Sequence, residues 1–364
     1  MNKDLISDRQ FFMLIFVSIT SLTYFSVPTM LVPAVKQDLW LSMVIGTVID
    51  IYVAYLLAWL GRAYPGQSLV QYSVTILGKA GYALGFIFIL FFAVVICLSL
   101  FIFSNFLSST LLVGTPLIVL TSTMAVAAGW AAYNGIETIA RLAEIISVLI
   151  LLVSVAGVLI SIPQLELSNL LPQLENGAWP AVKASVYPAS WFGVCILMGM
   201  VMPHHNNPKR TFKLKASAVL LGASIMTLWL LNSIAALGQE VVGRLYYPVY
   251  AFTRTIQLVF LERVDILMML VYISGTFITL SVLYYIAAEG AAQLFGTRSH
   301  RKWILPFGVL VTILPVLPPF GKNMLHTFKV FEFWFPLTAL LVEGGLTTLL
   351  FVAALFRNRK KKPS

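Results

Sequence analysis

Three acidic residues stand inside long apolar runs: Asp50, Glu289 and Glu343. A carboxyl in such a run is expensive unless it faces a bundle interior, a partner or a water-filled path, so each is a functional candidate. Asp50 and Glu343 lie deepest. Each reads either as a proton-coupling group or as a packed structural one, and Glu289 as interfacial. His204 and His205 follow Pro203 beside Lys209 and Arg210 and read as a solvated loop. Cys97 and Cys195 sit in apolar runs without metal-ligand spacing, so they read as buried apolar thiols. No phosphate-binding glycine loop, nucleophile elbow or paired catalytic carboxylates occur. The expectation is a protein that is not an enzyme and uses no metal or cofactor.

Hydroxyls, glycines and prolines cluster at two places. Residues 10–34 carry Ser18, Thr20, Ser21, Thr23, Ser26 and Pro28. Residues 186–206 carry Pro188, Ser190, Gly193, Gly199 and Pro203. Proline removes a helix donor and clashes with the preceding turn. Discontinuous helices at matching places in two halves of a bundle are the sequence pointer to a transporter's midplane site. Residues 263–294 add Ser274, Thr276, Thr279 and Ser281, and residues 82–110 add Val95, Cys97 and Ser99 near their middle. The implied pocket is apolar with a few hydroxyls and no charge at the breaks, which suits a small neutral or zwitterionic ligand. Gly/Ser packing between helices is the alternative use of the same residues.

The elements that must hold these groups follow from composition. Of 364 residues, 59% are hydrophobic and 10% charged, against about 45–50% and about 25% in soluble domains. That balance excludes disorder, a disulfide scaffold and an ordinary soluble enzyme. Apolar windows fall at about 10–34, 40–61, 82–110, 115–133, 138–162, 186–206, 211–238, 263–294, 302–320 and 328–356. Without strand-like alternation, helices are the closed solution in lipid. The reading is an all-α integral membrane protein of ten spanning helices. It forms one domain, 1–364, of two five-helix halves at about 10–162 and 186–356, with helices one and six broken.

The net charge of +10 is an orientation device rather than a nucleic-acid signal. Ten spans put both termini on one side, with 17 basic residues there, Lys215 among them, and 7 opposite. The basic excess makes that side cytoplasmic. Residues 164–185 read as a polar outer connector. Residues 244–262 read either as an amphipathic outer helix, with Val249, Phe252, Ile256, Val259 and Phe260 at helical spacing, or as a solvent-facing connector. Asn134 is expected to cap the fifth span with Glu137 at N3. Glu137 is expected to pair with Arg141, and Arg141 with Glu144.

The block Asn134-Gly135-Ile136-Glu137 through Arg141 to Glu144, Asn169-Leu170-Leu171-Pro172, Pro208 to Lys215, and Tyr247-Pro248 through Asp265 come in an order and spacing that cover nearly the whole chain. In these the chain resembles the B-subunit family of spore germinant receptors, a branch of the amino acid–polyamine–organocation transporters. The resemblance implies a ten-helix fold of five-plus-five inverted repeats, as in LeuT-like transporters. It also implies residence in the spore inner membrane, a membrane A subunit and a lipoprotein C subunit as partners, and nutrient sensing that triggers germination. By the same resemblance a ligand would sit against Ser21, Leu22, Thr23, Val95, Ser99, Phe192, Gly193, Thr276 and Thr279. Relatives tend to carry glycines at the first break and a glutamate just after the glycine of the sixth span. This chain has Ser21-Leu22-Thr23 and Val194-Cys195 there. An autonomous transporter of a neutral amino acid, coupled to H+ or Na+, is the alternative.

Overall fold

The computed structural model describes residues 5–256, 264–317 and 324–359, the last segment without side chains for 324–331 and 358–359. Among the described residues every regular element is helical. In chain order these are α1 (Asp8–Val35), α2 (Leu39–Ala63), α3 (Leu69–Leu77), α4 (Lys79–Thr110), α5 (Leu117–Tyr133) and α6 (Ile136–Ser161). They continue with α7 (Trp179–Ala184), α8 (Val186–Phe192), α9 (Met198–Val201), α10 (Thr211–Leu237), α11 (Gln239–Val242) and α12 (Pro248–Thr253). The series ends with α13 (Val264–Leu294), α14 (Arg301–Ile313), α15 (Met324–Leu340) and α16 (Thr347–Arg359).

Seven helical runs among the described residues are long and apolar enough to cross a membrane. The first, Asp8–Ala63, has 56 residues and would extend about 84 Å if straight, against a hydrocarbon core of about 30 Å. It turns at Lys36, whose φ of 50° lies in the left-handed region. Each apolar window of the sequence coincides with described helix, apart from the tail of 302–320, which runs outside the described residues. The windows at 115–133 and 302–320 hold shorter helices. The protein is therefore a multi-pass, all-α membrane bundle.

At its centre α1 packs against α6, α8, α10 and α13, and α2 packs against α8 and α10. Both outer segments of the chain are tied to the bundle. Ile6 donates its N–H to the His204 carbonyl at 2.8 Å and accepts from Asn206 N–H at 3.1 Å. Arg357 Nη1 donates to the Ile76 carbonyl at 2.8 Å.

The two expected breaks come out differently. Helix α1 is continuous from Asp8 to Val35 despite Pro28 and Pro33. Ser18, Thr20, Ser21, Thr23, Ser26 and Thr29 all donate to carbonyls four residues back. These hydroxyls are bonded to their own helix, as hydroxyls in apolar helices commonly are, and do not mark a break. The sixth window is interrupted. After α8 the chain tightens into a 3-10 stretch, Gly193–Leu197, before α9. A second irregularity was not anticipated: Leu341–Leu346, between α15 and α16, is a π-helical segment carrying Glu343.

Two connector readings also change. Asn134 does not cap α6. It closes α5, with Nδ2 donating to the Trp130 carbonyl at 2.7 Å, and the N-cap of α6 is Gly135, at φ 95°. A positive φ suits glycine and displaces asparagine one position back. Of 244–262, α12 is helical and buries Val249 and Phe252, with Ile256 buried just beyond it. Val259 and Phe260 lie outside the described residues.

Candidate functional site

Two buried centres flank the interrupted sixth helix. The first is a set of hydroxyls and aromatic rings. Ser21 and Thr279 share a hydrogen bond at 2.6 Å between α1 and α13. A cavity of about 10 Å³ is walled by Ser21, Leu22, Ser99, Ile102, Trp191, Tyr272 and Thr276, room for about one water. The Ser99 hydroxyl and the Trp191 indole N–H are buried there without a partner, and buried polar atoms of this kind call for a ligand or a water. A neighbouring cavity of about 30 Å³ shares Ser21 and Tyr272 and adds Thr20, Tyr24, Ser154 and Trp229.

Of the residues expected to hold a ligand, Ser21, Leu22, Ser99 and Thr276 meet at one cavity, and Thr279 is bonded to Ser21. Thr23, Val95 and Phe192 are buried but are not among its walls. Thr23 instead donates to the Ile19 carbonyl. Ile102, Trp191 and Tyr272 complete the wall, and sequence spacing singled out neither Ile102 nor Tyr272.

Beyond Tyr272, one wall of the cavity, stands an aromatic stack. Phe25 lies 4.1 Å from Phe106 and 4.2 Å from Tyr272, and Phe106 lies 5.1 Å from Tyr247. A polar clamp joins the start of α1 to the chain after α9. Asp8 accepts from His205 Nε2 at 2.8 Å and pairs with Arg210, and Phe11 stacks on the His205 ring at 4.7 Å. His205 is thus buried rather than part of a solvated loop. Burial pulls its imidazole below the ordinary range, against a smaller upward pull from Asp8.

The second centre is charged. Lys215 was grouped with the basic loop, yet it lies fully buried and its Nζ meets Asp50 Oδ1 at 3.0 Å. The apolar stretch that α10 threads between α1 and α2 carries it inward. Glu343 is buried with both carboxyl oxygens unpartnered, as is Asp50 Oδ2. Glu343 occupies the space that a side chain at Gly193 would need: a Cβ there would lie 2.0 Å from Oε2. Gly193 therefore receives Glu343 and does not face the hydroxyl cavity. The glycine pair Gly344-Gly345 beside Glu343 was the sequence signal for this irregular turn. Among the described residues no group of three or more His, Cys, Asp and Glu side chains could hold a metal.

At the surface, Glu137 pairs with Arg141 at 2.5 Å as spaced. Glu144 pairs with Arg9 at 2.8 Å rather than with Arg141, tying α6 to the start of α1. Glu289 accepts from Gln293 Nε2 at 3.0 Å, with His300 at 3.6 Å.

Known proteins share this plan. A family profile described as "Spore germination protein" matches residues 5–322. Spore germination protein KB of Bacillus subtilis (strain 168) is 25% identical over 372 residues, covering 100% of this chain and 98% of that one. Spore germination protein A2 of the same organism is 24% identical over 289 residues, 77% of this chain and 78% of that one. Among solved structures, MHP1, a nucleobase-cation-symport-1 family transporter in a closed conformation with bromovinylhydantoin bound, aligns with a TM-score of 0.76 at 15% identity, covering 99% of this chain and 80% of that one. MhsT in complex with L-phenylalanine aligns at 0.63 and 17% identity, covering 98% and 97%. The fold is that of LeuT-like transporters.

Proposed function

This chain belongs to the spore germination protein family, and from that premise we propose that it is the B subunit of a spore germinant receptor. It binds a small nutrient, an amino acid by preference, between α1, α4, α8 and α13. Binding is passed to a membrane A subunit and a lipoprotein C subunit in the spore inner membrane, with both termini cytoplasmic. In this reading the two halves at about 10–162 and 186–356 move as inverted repeats around the pocket. The family is permease-like rather than enzymatic, so the work of the site is recognition.

One observation carries the reading: Ser99 and Trp191 line a small cavity beside the Ser21–Thr279 bond, and Ser99 Oγ and Trp191 Nε1 are buried and unpartnered. Ser99 can donate or accept, and the indole donates. Together they suit a small ligand carrying both kinds of group. The cavity holds about one water, so a nutrient enters by displacing the shared Tyr272 wall and joining the two cavities. The neighbouring structures hold small organic molecules, bromovinylhydantoin and L-phenylalanine, which supports a small organic ligand here.

The test is a nutrient dose–response of spores carrying Ser99→Val or Thr276→Val. Each lost hydrogen bond is worth about 0.5–1.5 kcal/mol, so the half-effective nutrient concentration should rise about 2- to 12-fold. An unchanged dose–response at normal membrane levels overturns the placement of the pocket. A second reading is autonomous transport of a neutral amino acid with H+ or Na+, supported by the fold of the symporter neighbours. Nutrient uptake by the purified chain alone in lipid vesicles would select it.

A further inference from the structure

The Asp50–Lys215–Glu343 cluster is a charge problem with an unfinished solution. Two carboxyls and one ammonium lie fully buried between α2, α10 and the π-helical turn. Asp50 and Lys215 neutralise each other at 3.0 Å. With Glu343 ionised, one negative charge is left buried, with both oxygens lacking a partner. An isolated buried charge of that kind is not tolerated without neutralisation. We propose that Glu343 is a proton-binding site, seated in the Gly193 notch of the interrupted sixth helix, and that loading and unloading of its proton acts on that helix.

The location supports the assignment. The seat is made by absence, since any side chain at residue 193 would collide with Glu343 Oε2. The stretch that follows, Gly193–Leu197, has exchanged α-helical for 3-10 hydrogen bonds, and Glu343 itself lies on a π-helical turn. Both kinds of irregularity recur at functional hinges. The groups that act electrostatically on this place are Asp50 from α2, Lys215 from α10 and the Cys195 thiol from the 3-10 stretch. Helix α4 also packs on the π-helical turn, and its ionisable groups are Lys79, Tyr82 and Cys97. A metal cation would need ligands and room beside the Lys215 ammonium, whereas a proton needs neither.

The step balances simply. A proton from water bonds to one Glu343 oxygen and leaves a neutral acid beside the Asp50–Lys215 pair. Its return to water restores a carboxylate against Gly193. A full charge interacts more strongly with the surrounding peptide dipoles than a neutral acid does, so the two forms bias the adjoining turn differently. This inference stands apart from the nutrient reading, because it concerns the opposite side of the sixth helix and needs no nutrient.

The experiment is infrared difference spectroscopy of the full chain in phosphatidylglycerol vesicles, titrated with pH in sodium-free buffer and without nutrient. A protonated-carboxyl band should appear as pH falls. It should be lost in Glu343→Gln, and its midpoint should shift in Gly193→Ala, which crowds the seat. Should Glu343→Gln fail to fold, Glu343→Asp keeps a carboxyl one methylene shorter and should move the band. A band that survives in Glu343→Gln, no titrating band at any pH, or a transition driven by Na+ instead of pH would each overturn the proposal. Nutrient response is not read in any arm, so failure of the receptor reading leaves the outcome intact.

Discussion

Trp191 and Gly193 are two residues apart, yet they serve unlike surroundings. Trp191 closes a neutral cavity of hydroxyls, whereas Gly193 yields its space to a carboxylate beside a buried ion pair. The difference lies in what the environment forgives. A neutral hydroxyl without a partner costs about 1–3 kcal/mol, which a bundle can carry and a ligand can relieve. A charge without a partner is not tolerated, so Lys215 and Asp50 are bound to each other. One side of the sixth helix therefore adjoins neutral groups without partners, and the other adjoins charges that need them.

That contrast can be broken by experiment. The largest effect belongs to Lys215→Met, which strands Asp50 in the bundle. Removing one partner of a buried pair costs about 3–5 kcal/mol, read as a lower melting temperature of the detergent-purified chain. Asp50→Leu combined with Lys215→Met should recover most of it, because an apolar pair leaves no stranded charge. A single variant as stable as the parent would erase the distinction between the two faces.

The clamp at the start of α1 should show an intermediate, pH-dependent effect. Burial holds the folded imidazole of His205 below its unfolded value, which is about 6.5. The unfolded chain then binds more protons, and stability falls as pH drops from about 6.5 through the folded value. Relative to His205→Gln, the parent should lose melting temperature between pH 8 and pH 5. Parallel curves for the two would show that the ring titrates no differently when folded.

Smaller still is Glu137→Ala, which removes an exposed pair on α6 worth about 0.2–0.5 kcal/mol. The smallest loss belongs to Ser99→Ala, where stability should fall by no more than about 0.5 kcal/mol and can rise, because its buried hydroxyl has no partner to lose. A melting loss above about 1 kcal/mol there would mean that the hydroxyl is already satisfied and the cavity is structural.

Much of this was readable in advance for residues whose partners are near in sequence. Glu137 and Arg141 found each other because four residues is one helical turn. The sixth break followed from Pro188 and Gly193. The first break did not, since serine and threonine look alike whether they line a pocket or bond back to their own helix. Ser21 does both, donating to Val17 and meeting Thr279. Lys215 was misplaced for a related reason. A lysine at the edge of a basic loop differs from a buried one only through a carboxylate 165 residues away.

The sequence by itself determined that this is a multi-pass helical membrane protein, because apolar composition and run length are local properties that lipid reads directly. It also determined which residues are too polar for their runs. Only the tertiary structure decided their partners: Asp50 with Lys215, Glu343 with the space at Gly193, His205 with Asp8, and Ser99 with none. Those pairings join helices far apart in the chain, and no periodicity within one helix encodes what another helix brings to its face.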